Sequence, residues 1–256
     1  MCYYNSLRLQ PGSIIKLGEK ELQFGSIKIN RVQRGADYQN WPVILPTANG
    51  IGSEIKSIHW EYIPAIVHDE HALFEARIMN HWLNVKAENL LKNDRGKTSL
   101  FREGALYGRC LVLSSGFYEY RAVPKTGKRG QPLKQTERIP YYITLKEQPV
   151  YFFMAGISRT WTNETRQQSA DTFAIVTTVA NEFMQTINNT KLRMPVILNE
   201  EAALHWLKRD LSEKEIMEAA TFQYPDEQMI AWPVAKDFLQ KENPEDPFSY
   251  NNLALL

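Results

Sequence analysis

Short β-rich runs at irregular spacing, with helical patterns between some of them and no βαβ alternation, constrain this chain more than any other feature. The strand-like runs are Pro42–Leu45, Ile58–Ile63, Cys110–Leu113, Gly116–Arg121, Tyr141–Leu145, Tyr151–Ile157, Phe173–Thr178 and Met194–Leu198. Helical patterns fall at about Glu88–Lys92, Leu100–Tyr107, Asn181–Ile187, Glu201–Lys208 and Glu213–Ala220. Parallel sheets are built from regular strand–helix–strand units, and these are missing, as is any repeat of fixed period. The pattern predicts an α+β fold: a single domain of curved, mainly antiparallel β-sheets with flanking helices. Residues 1–235 are expected to form it, with residues 236–256 as a C-terminal tail. The stretch from Tyr224 onward, rich in Pro, Asp, Glu and Asn, reads as a surface-hugging tail with a frayed end.

At 256 residues, 43% hydrophobic and 23% charged, the chain can bury one sizeable core without splitting in two. No run approaches the ~18 apolar residues of a membrane span, and the start lacks the basic-then-apolar form of a signal peptide. A cytoplasmic monomer is expected, nucleoid-associated when bound to DNA. Only Cys2 and Cys110 are cysteines, and Cys110 sits in an apolar run that reads as core. With neither zinc spacing nor a disulfide framework, no metal and no cofactor are expected. The net charge of +1 hides an asymmetry: residues 199–256 carry 5 Lys/Arg against 12 Asp/Glu, leaving +8 on residues 1–198. A basic body suits a polyanion partner. The densest basic stretch, Arg121 to Arg138, is broken by Pro124, Gly127, Gly130 and Pro132 and reads as a mobile hairpin loop.

Cys2 follows the initiator methionine. An initiator methionine before so small a residue is normally trimmed, which would give Cys2 a free α-amine beside its thiol. Such a 1,2-aminothiol captures aldehydes: the amine condenses to a Schiff base and the thiol closes a thiazolidine ring. With an α-amino pKa of about 7.7–8.0 against about 8.5 for a thiol, amine attack comes first near neutral pH.

Three internal segments extend this reading: Asn84-Val-Lys-Ala-Glu88, the run from Arg109 to Tyr120 containing Gly116-Phe-Tyr-Glu119, and Arg193-Met-Pro-Val-Ile-Leu198. With Cys2, and in this order and spacing, they resemble the SRAP family (SOS response-associated peptidase), whose members crosslink themselves to abasic sites in single-stranded DNA. Trp41 to Thr47, His59 to Pro64 and Thr177 to Asn181 also fit, so the resemblance spans Cys2 to about Ala235. The resemblance implies the same α+β fold and the following roles. Cys2 is the nucleophile. Glu119, an acid in an apolar strand, is the proton donor and acceptor, with burial raising its pKa. Asn84 holds the sugar hydroxyl or the Cys2 backbone as a neutral donor and acceptor. Lys86 and Arg193 bind phosphates beside the lesion, Lys86 standing where the family more often has arginine.

Trp41, Trp60, Tyr3, Tyr4 and Tyr120 are aromatic candidates for stacking on unpaired bases, most of them reading as core. Trp60, in an alternating run between His59 and Glu61, reads as the better surface candidate of the two tryptophans, and Tyr4, two residues after Cys2, is taken with it as DNA-binding. The chain departs from the family where a catalytic histidine precedes Arg-Met-Pro. Asn188 is read as occupying that position, and an amide orients groups but cannot titrate. None of His59, His68, His71, His81 and His205 lies in that segment. The expected function is an abasic-site sensor forming a thiazolidine crosslink, with peptidase activity limited to removing Met1. An N-terminal-nucleophile cysteine amidohydrolase and a non-catalytic single-stranded nucleic-acid-binding module are the alternatives.

Overall fold

Strands covered on both faces read as continuous apolar runs, and the centre of this protein is made of them. Arg109–Ser114 is buried at all six positions. The computed structural model describes residues 3–27, 30–47, 52–127, 131–250 and 253. Its first strands are β1 (Tyr4–Ser6), β2 (Ile14–Leu17), β3 (Lys20–Gln23), β4 (Val32–Arg34), β5 (Asn40–Pro46), β6 (Ser53–Trp60) and β7 (Asn84–Lys86). There follow β8 (Arg109–Ser114), β9 (Gly116–Thr126), β10 (Pro132–Leu145), β11 (Phe152–Asn163) and β12 (Gln168–Val179). The last are β13 (Arg193–Pro195), β14 (Ile197–Leu198) and β15 (Met229–Pro233). Helices are α1 (Glu70–Met79), α2 (Arg102–Tyr107), α3 (Glu182–Ile187), α4 (Glu200–Trp206) and α5 (Glu213–Ala220).

Two sheets divide the work. In the larger, β11, β12, β6, β5 and β8 pair in sequence and β8 returns to β11, so five strands close a ring. Every contact in the ring is antiparallel except β12 with β6, which is parallel through Thr172–His59 and Phe173–Trp60. β7 and β13 flank β12, and β14 joins β11. The smaller sheet, in order β15-β10-β9-β1-β4, is antiparallel throughout. The predicted fold class therefore holds.

The chain passes from one sheet to the other through a single residue, Ser115, between β8 and β9. Its amide donates to the Ser6 carbonyl at 2.7 Å. Its carbonyl accepts from the hydroxyls of Tyr142 (3.0 Å) and Thr144 (2.8 Å), and its own hydroxyl accepts from the Arg8 amide (2.8 Å). A corner this buried needs all its polar groups satisfied. It fixes where β9 begins, and with it everything β9 carries.

The helical pattern at Glu88–Lys92 becomes a short 3-10 turn at Ala87–Asn89. Helix α1 is absent from the sequence reading, because its apolar residues do not form one stripe: Leu73 is buried while Phe74, Ile78 and Met79 are exposed. The basic stretch after Arg121 is not a loop over most of its length, since β9 and β10 stay paired from Ile143–Phe117 out to Pro132–Thr126. β1 covers the other edge of β9 only as far as Tyr118, so Pro124 lies on an open edge where its missing donor costs nothing. Residues 128–130 lie outside the described residues. Nor does the chain after Tyr224 merely hug the surface: β15 adds a strand to β10, and Val234 and Phe238 are buried. Among the described residues no helix is long and apolar enough to cross a membrane.

Gly116 opens β9 where a Cβ would overlap the Tyr142 ring, the ring whose hydroxyl holds the Ser115 corner. Gly116→Ala is expected to cost about 2 kcal/mol or more by overpacking. Thermal unfolding followed by circular dichroism checks this as a lowered Tm, and an unchanged Tm would mean that the corner yields freely.

Candidate active site

Two carboxyl groups are buried deeply enough to titrate abnormally, and their surroundings move them in opposite directions. Glu61, fully buried, is pushed up by burial, but hydrogen bonds from His59 and Arg77 outweigh this and hold it below the usual carboxylate range. Glu119 on β9, 6% exposed, is pushed up to about 7 by burial, against the opposing pull of nearby positive charges that include Lys191 and Arg138. Glu61 is a structural ion pair. Glu119 is poised to give and take protons near neutral pH.

Glu119 borders a cavity of about 330 Å³. On one side stand the rings of Tyr3, Tyr4 and Tyr120; Tyr4 meets Tyr120 edge-on at 6.2 Å and Phe238 at 5.6 Å. Behind the lining residue Tyr118, Phe238 stacks on its ring at 4.3 Å, so a residue of the expected tail backs the cavity wall. Around the rim are three cations. Arg138 lies 4.8 Å over the Tyr120 ring, Lys191 5.6 Å over Tyr3, and Arg34 is ion-paired with Asp37 at 2.6 Å. The Tyr3 hydroxyl is pushed up by burial and by Glu119. A basic, tyrosine-lined mouth over a carboxyl of this kind can hold a phosphate-bearing electrophile and move protons at it.

The remaining wall is the turn that follows α3. Asn181 starts that helix by accepting from the Met184 amide at 2.9 Å, and the helix ends at Asn188. The Asn188 amide group donates to the Arg193 carbonyl at 2.9 Å, and Leu192 N–H closes the turn on the Asn188 carbonyl at 2.9 Å. Leu192 adopts φ +52°, a left-handed conformation that a branched side chain takes only under constraint. Asn189 docks the turn onto β9, exchanging two 2.9 Å hydrogen bonds with the Ala122 amide and carbonyl. Asn188 and Lys191 thereby face the same cavity as Glu119.

The cavity thus brings together Glu119, Asn188, Tyr3, Tyr4 and Tyr120 of the residues expected from sequence. Cys2 lies outside the described residues. Asn84 and Lys86 are on β7 and do not line the cavity; Asn84 is buried and Lys86 exposed. Arg193, read as a phosphate contact, is bound to both Glu88 oxygens (2.5 and 2.9 Å) and to the Thr177 carbonyl (2.5 Å). Its hydrogen bonds hold the Glu88 carboxyl low, and a phosphate reaches the guanidinium only by displacing Glu88. Trp60 is a correction. It is fully buried, donates to the Leu83 carbonyl at 3.0 Å and stacks on Phe173, because both faces of β6 are covered at its end. Cys110 is core, its thiol pushed up by burial. Arg34, Arg138 and Lys191 went unrecognised; Arg138 belonged to a stretch taken for loop, and Lys191 stood two residues before the motif arginine. Among the described residues no group of three His, Cys, Asp or Glu side chains could hold a metal ion.

A family model described as SOS response associated peptidase (SRAP) matches residues 1–240. The abasic site processing protein YoqW of Bacillus subtilis (strain 168) is 28% identical over 188 residues, 73% of this chain and 72% of its own. The abasic site processing protein YedK of Escherichia coli (strain K12) is 29% identical over 131 residues, 51% of each chain. A crystal structure of a protein from Bacteroides thetaiotaomicron matches with a TM-score of 0.72 at 28% identity, covering 96% of this chain and 97% of that one.

Burial of Glu119 carries a pH signature. With its folded pKa at about 7, above the ordinary carboxylate value, the parent keeps its full relative stability below about pH 4.5 and loses it as pH rises through about 7. Glu119→Gln removes that loss. Its Tm is expected to exceed the parent's by several degrees at pH 8, on the order of a few kcal/mol, and by much less at pH 5. Melting curves of both proteins across this range check it; a constant difference would mean that Glu119 is ionised in the fold throughout.

Proposed function

Because the chain belongs to the SOS response associated peptidase (SRAP) family, we propose that it acts on abasic sites in DNA and joins itself to them through Cys2. The observation that carries the reading is the buried Glu119, with its pKa near 7, in a cationic cavity lined by Tyr3, the residue one peptide bond from Cys2.

The chemistry balances without a cofactor or a redox partner. Once Met1 is gone, the Cys2 amine adds to the aldehyde carbon of the ring-opened sugar to give a carbinolamine. Glu119 gives its proton to the departing hydroxyl, which leaves as water, and an iminium forms. The Cys2 sulfur then bonds to that carbon, closing a thiazolidine, and the thiol proton returns to the Glu119 carboxylate. One water is released. Acid–base help of this kind contributes about 10²–10⁴ in rate. Peptidase activity, in this reading, is self-processing that removes Met1.

Single-stranded DNA is the substrate this reading favours, since tyrosine rings suit unpaired bases while Arg138 suits a flanking phosphate. We place the reaction in the cytoplasm, on nucleoid DNA, with the lesion shielded while the adduct lasts. Asn84, on β7, would hold the sugar hydroxyl or the Cys2 backbone, and Lys86 a phosphate further along the strand.

Mixing the protein with single-stranded oligonucleotides, intact or with one abasic site, and running a denaturing gel tests this directly. The parent should give a heat-stable band with the abasic strand alone. Cys2→Ala should abolish it while leaving non-covalent binding within a few fold, and Glu119→Gln should slow it by roughly 10²-fold. A persisting band in the alanine variant removes Cys2 from the mechanism.

Asn188 cannot deliver a proton during ring opening, so the adduct should reverse slowly. Asn188→His should speed transfer of the protein from a first abasic strand to an excess of a second. Equal transfer rates would mean that this side chain does not control reversal.

A further inference from the structure

The turn between α3 and β13 carries more constraint than a connection needs. Asn189 pins it to the open edge of β9 at Ala122, three residues beyond Glu119. Leu192 holds a left-handed backbone in the middle of it, its side chain half exposed and its amide and carbonyl both bonded, to Asn188 and Ala180. No packing gain explains that conformation, and strain retained in this way points to the residue it aims. That residue is Lys191, which lies over Tyr3 at the cavity mouth, on the wall that faces Glu119.

We propose that Lys191 is the electrostatic partner of Glu119: a fixed ammonium that stabilises the carboxylate as it forms in the dehydration step and so sets the rate of adduct formation. The inference rests on the reading of the site as an abasic-site crosslinking centre. When Glu119 gives up its proton a negative charge develops where burial disfavours it, and a preorganised cation at that spot acts on the transition state more than on the ground state. The other charged or titratable groups facing Glu119 serve it less well. Arg138, on β10, is spread over the Tyr120 ring; Arg34 is neutralised by Asp37; Tyr3 and Tyr120 are held protonated by burial; and the Cys2 amine is consumed in the reaction. The Lys191 charge also opposes the upward push on the Glu119 carboxyl. Lys191 is thus a positioning residue that acts through Glu119 and does not bond to the substrate.

The test is a double-mutant cycle on single-turnover adduct formation at saturating abasic oligonucleotide. Lys191→Met is expected to slow the reaction about tenfold in the parent and to cause no further slowing in Glu119→Gln, because its effect runs through a carboxylate that the glutamine lacks. Lys191→Arg keeps the charge and should stay within about threefold of the parent. A ¹³C titration of the Glu119 carboxyl should find its midpoint raised by about half a pH unit or more in Lys191→Met and unmoved in Lys191→Arg. Lys191 is exposed, so at pH 5, where Glu119 is protonated in every one of these folds, the variants should melt like the parent. Equal slowing in both backgrounds, no slowing in either, or an unmoved midpoint overturns the proposal. A parent that forms no adduct overturns instead the reading of the site on which it rests.

Discussion

Water withheld from one carboxyl group sets the character of this protein's tyrosine-lined cavity. Glu119 sits on a strand flanked by β1 and β10 and is walled by the Asn188–Leu192 turn, and each neighbour exists at that place for a separate structural reason. β9 is launched by the Ser115 corner, whose hydrogen bonds to Ser6, Tyr142 and Thr144 tie the turn to β1 and β10. The turn is held by Asn189 standing in for a strand partner. Loosening either would let solvent reach Glu119 and return it to an ordinary surface acid. Glu61 makes the contrast: equally buried but matched by Arg77 and His59, it is locked in one protonation state and left with no chemistry to do.

Much of the fold was legible because strands covered on both faces write themselves as apolar runs, and the eight runs read from sequence all lie in observed strands or end beside them. The short strands β1 to β4 and β15 were not legible, since three to five residues give no period to count. Helix α1 hid for a different reason, burying only Leu73 of its large apolar residues. At the site, Gly116-Phe-Tyr-Glu119 announced an acid in an apolar strand, and burial followed. What sequence could not give was the company Glu119 keeps. Arg138 comes from the neighbouring strand, and Lys191 arrives through a hydrogen-bonded turn whose docking depends on Asn189, a residue with no signature of its own. Trp60 was misread because its polar neighbours in sequence, His59 and Glu61, are themselves drawn into an internal ion cluster with Arg77.

The charge asymmetry also changes meaning in three dimensions. Acids of the C-terminal segment are paired with cations of the basic body: Glu245 with Arg31, and Glu213 with Arg102 at 2.5 Å. Glu88 occupies Arg193 in the same way. Exposed pairs of this sort add little stability, yet each neutralises one cation of the body. Arg138 and Lys191, by contrast, overhang tyrosine rings at the cavity.

The five-strand ring closes through a single parallel contact that joins His59 and Trp60 to Thr172 and Phe173, positions more than a hundred residues apart in the chain. Every other junction in the ring links antiparallel strands, but no order of adding strands avoids this last long-range seam. Entropy must be surrendered before the seam gives anything back, which makes slow, all-or-none assembly a property of the topology itself. A nascent chain therefore cannot complete its barrel until β12 has been synthesised. The turn bearing Asn188 and Lys191 lies beyond β12 and α3, so the cavity too waits on the last strand of the ring.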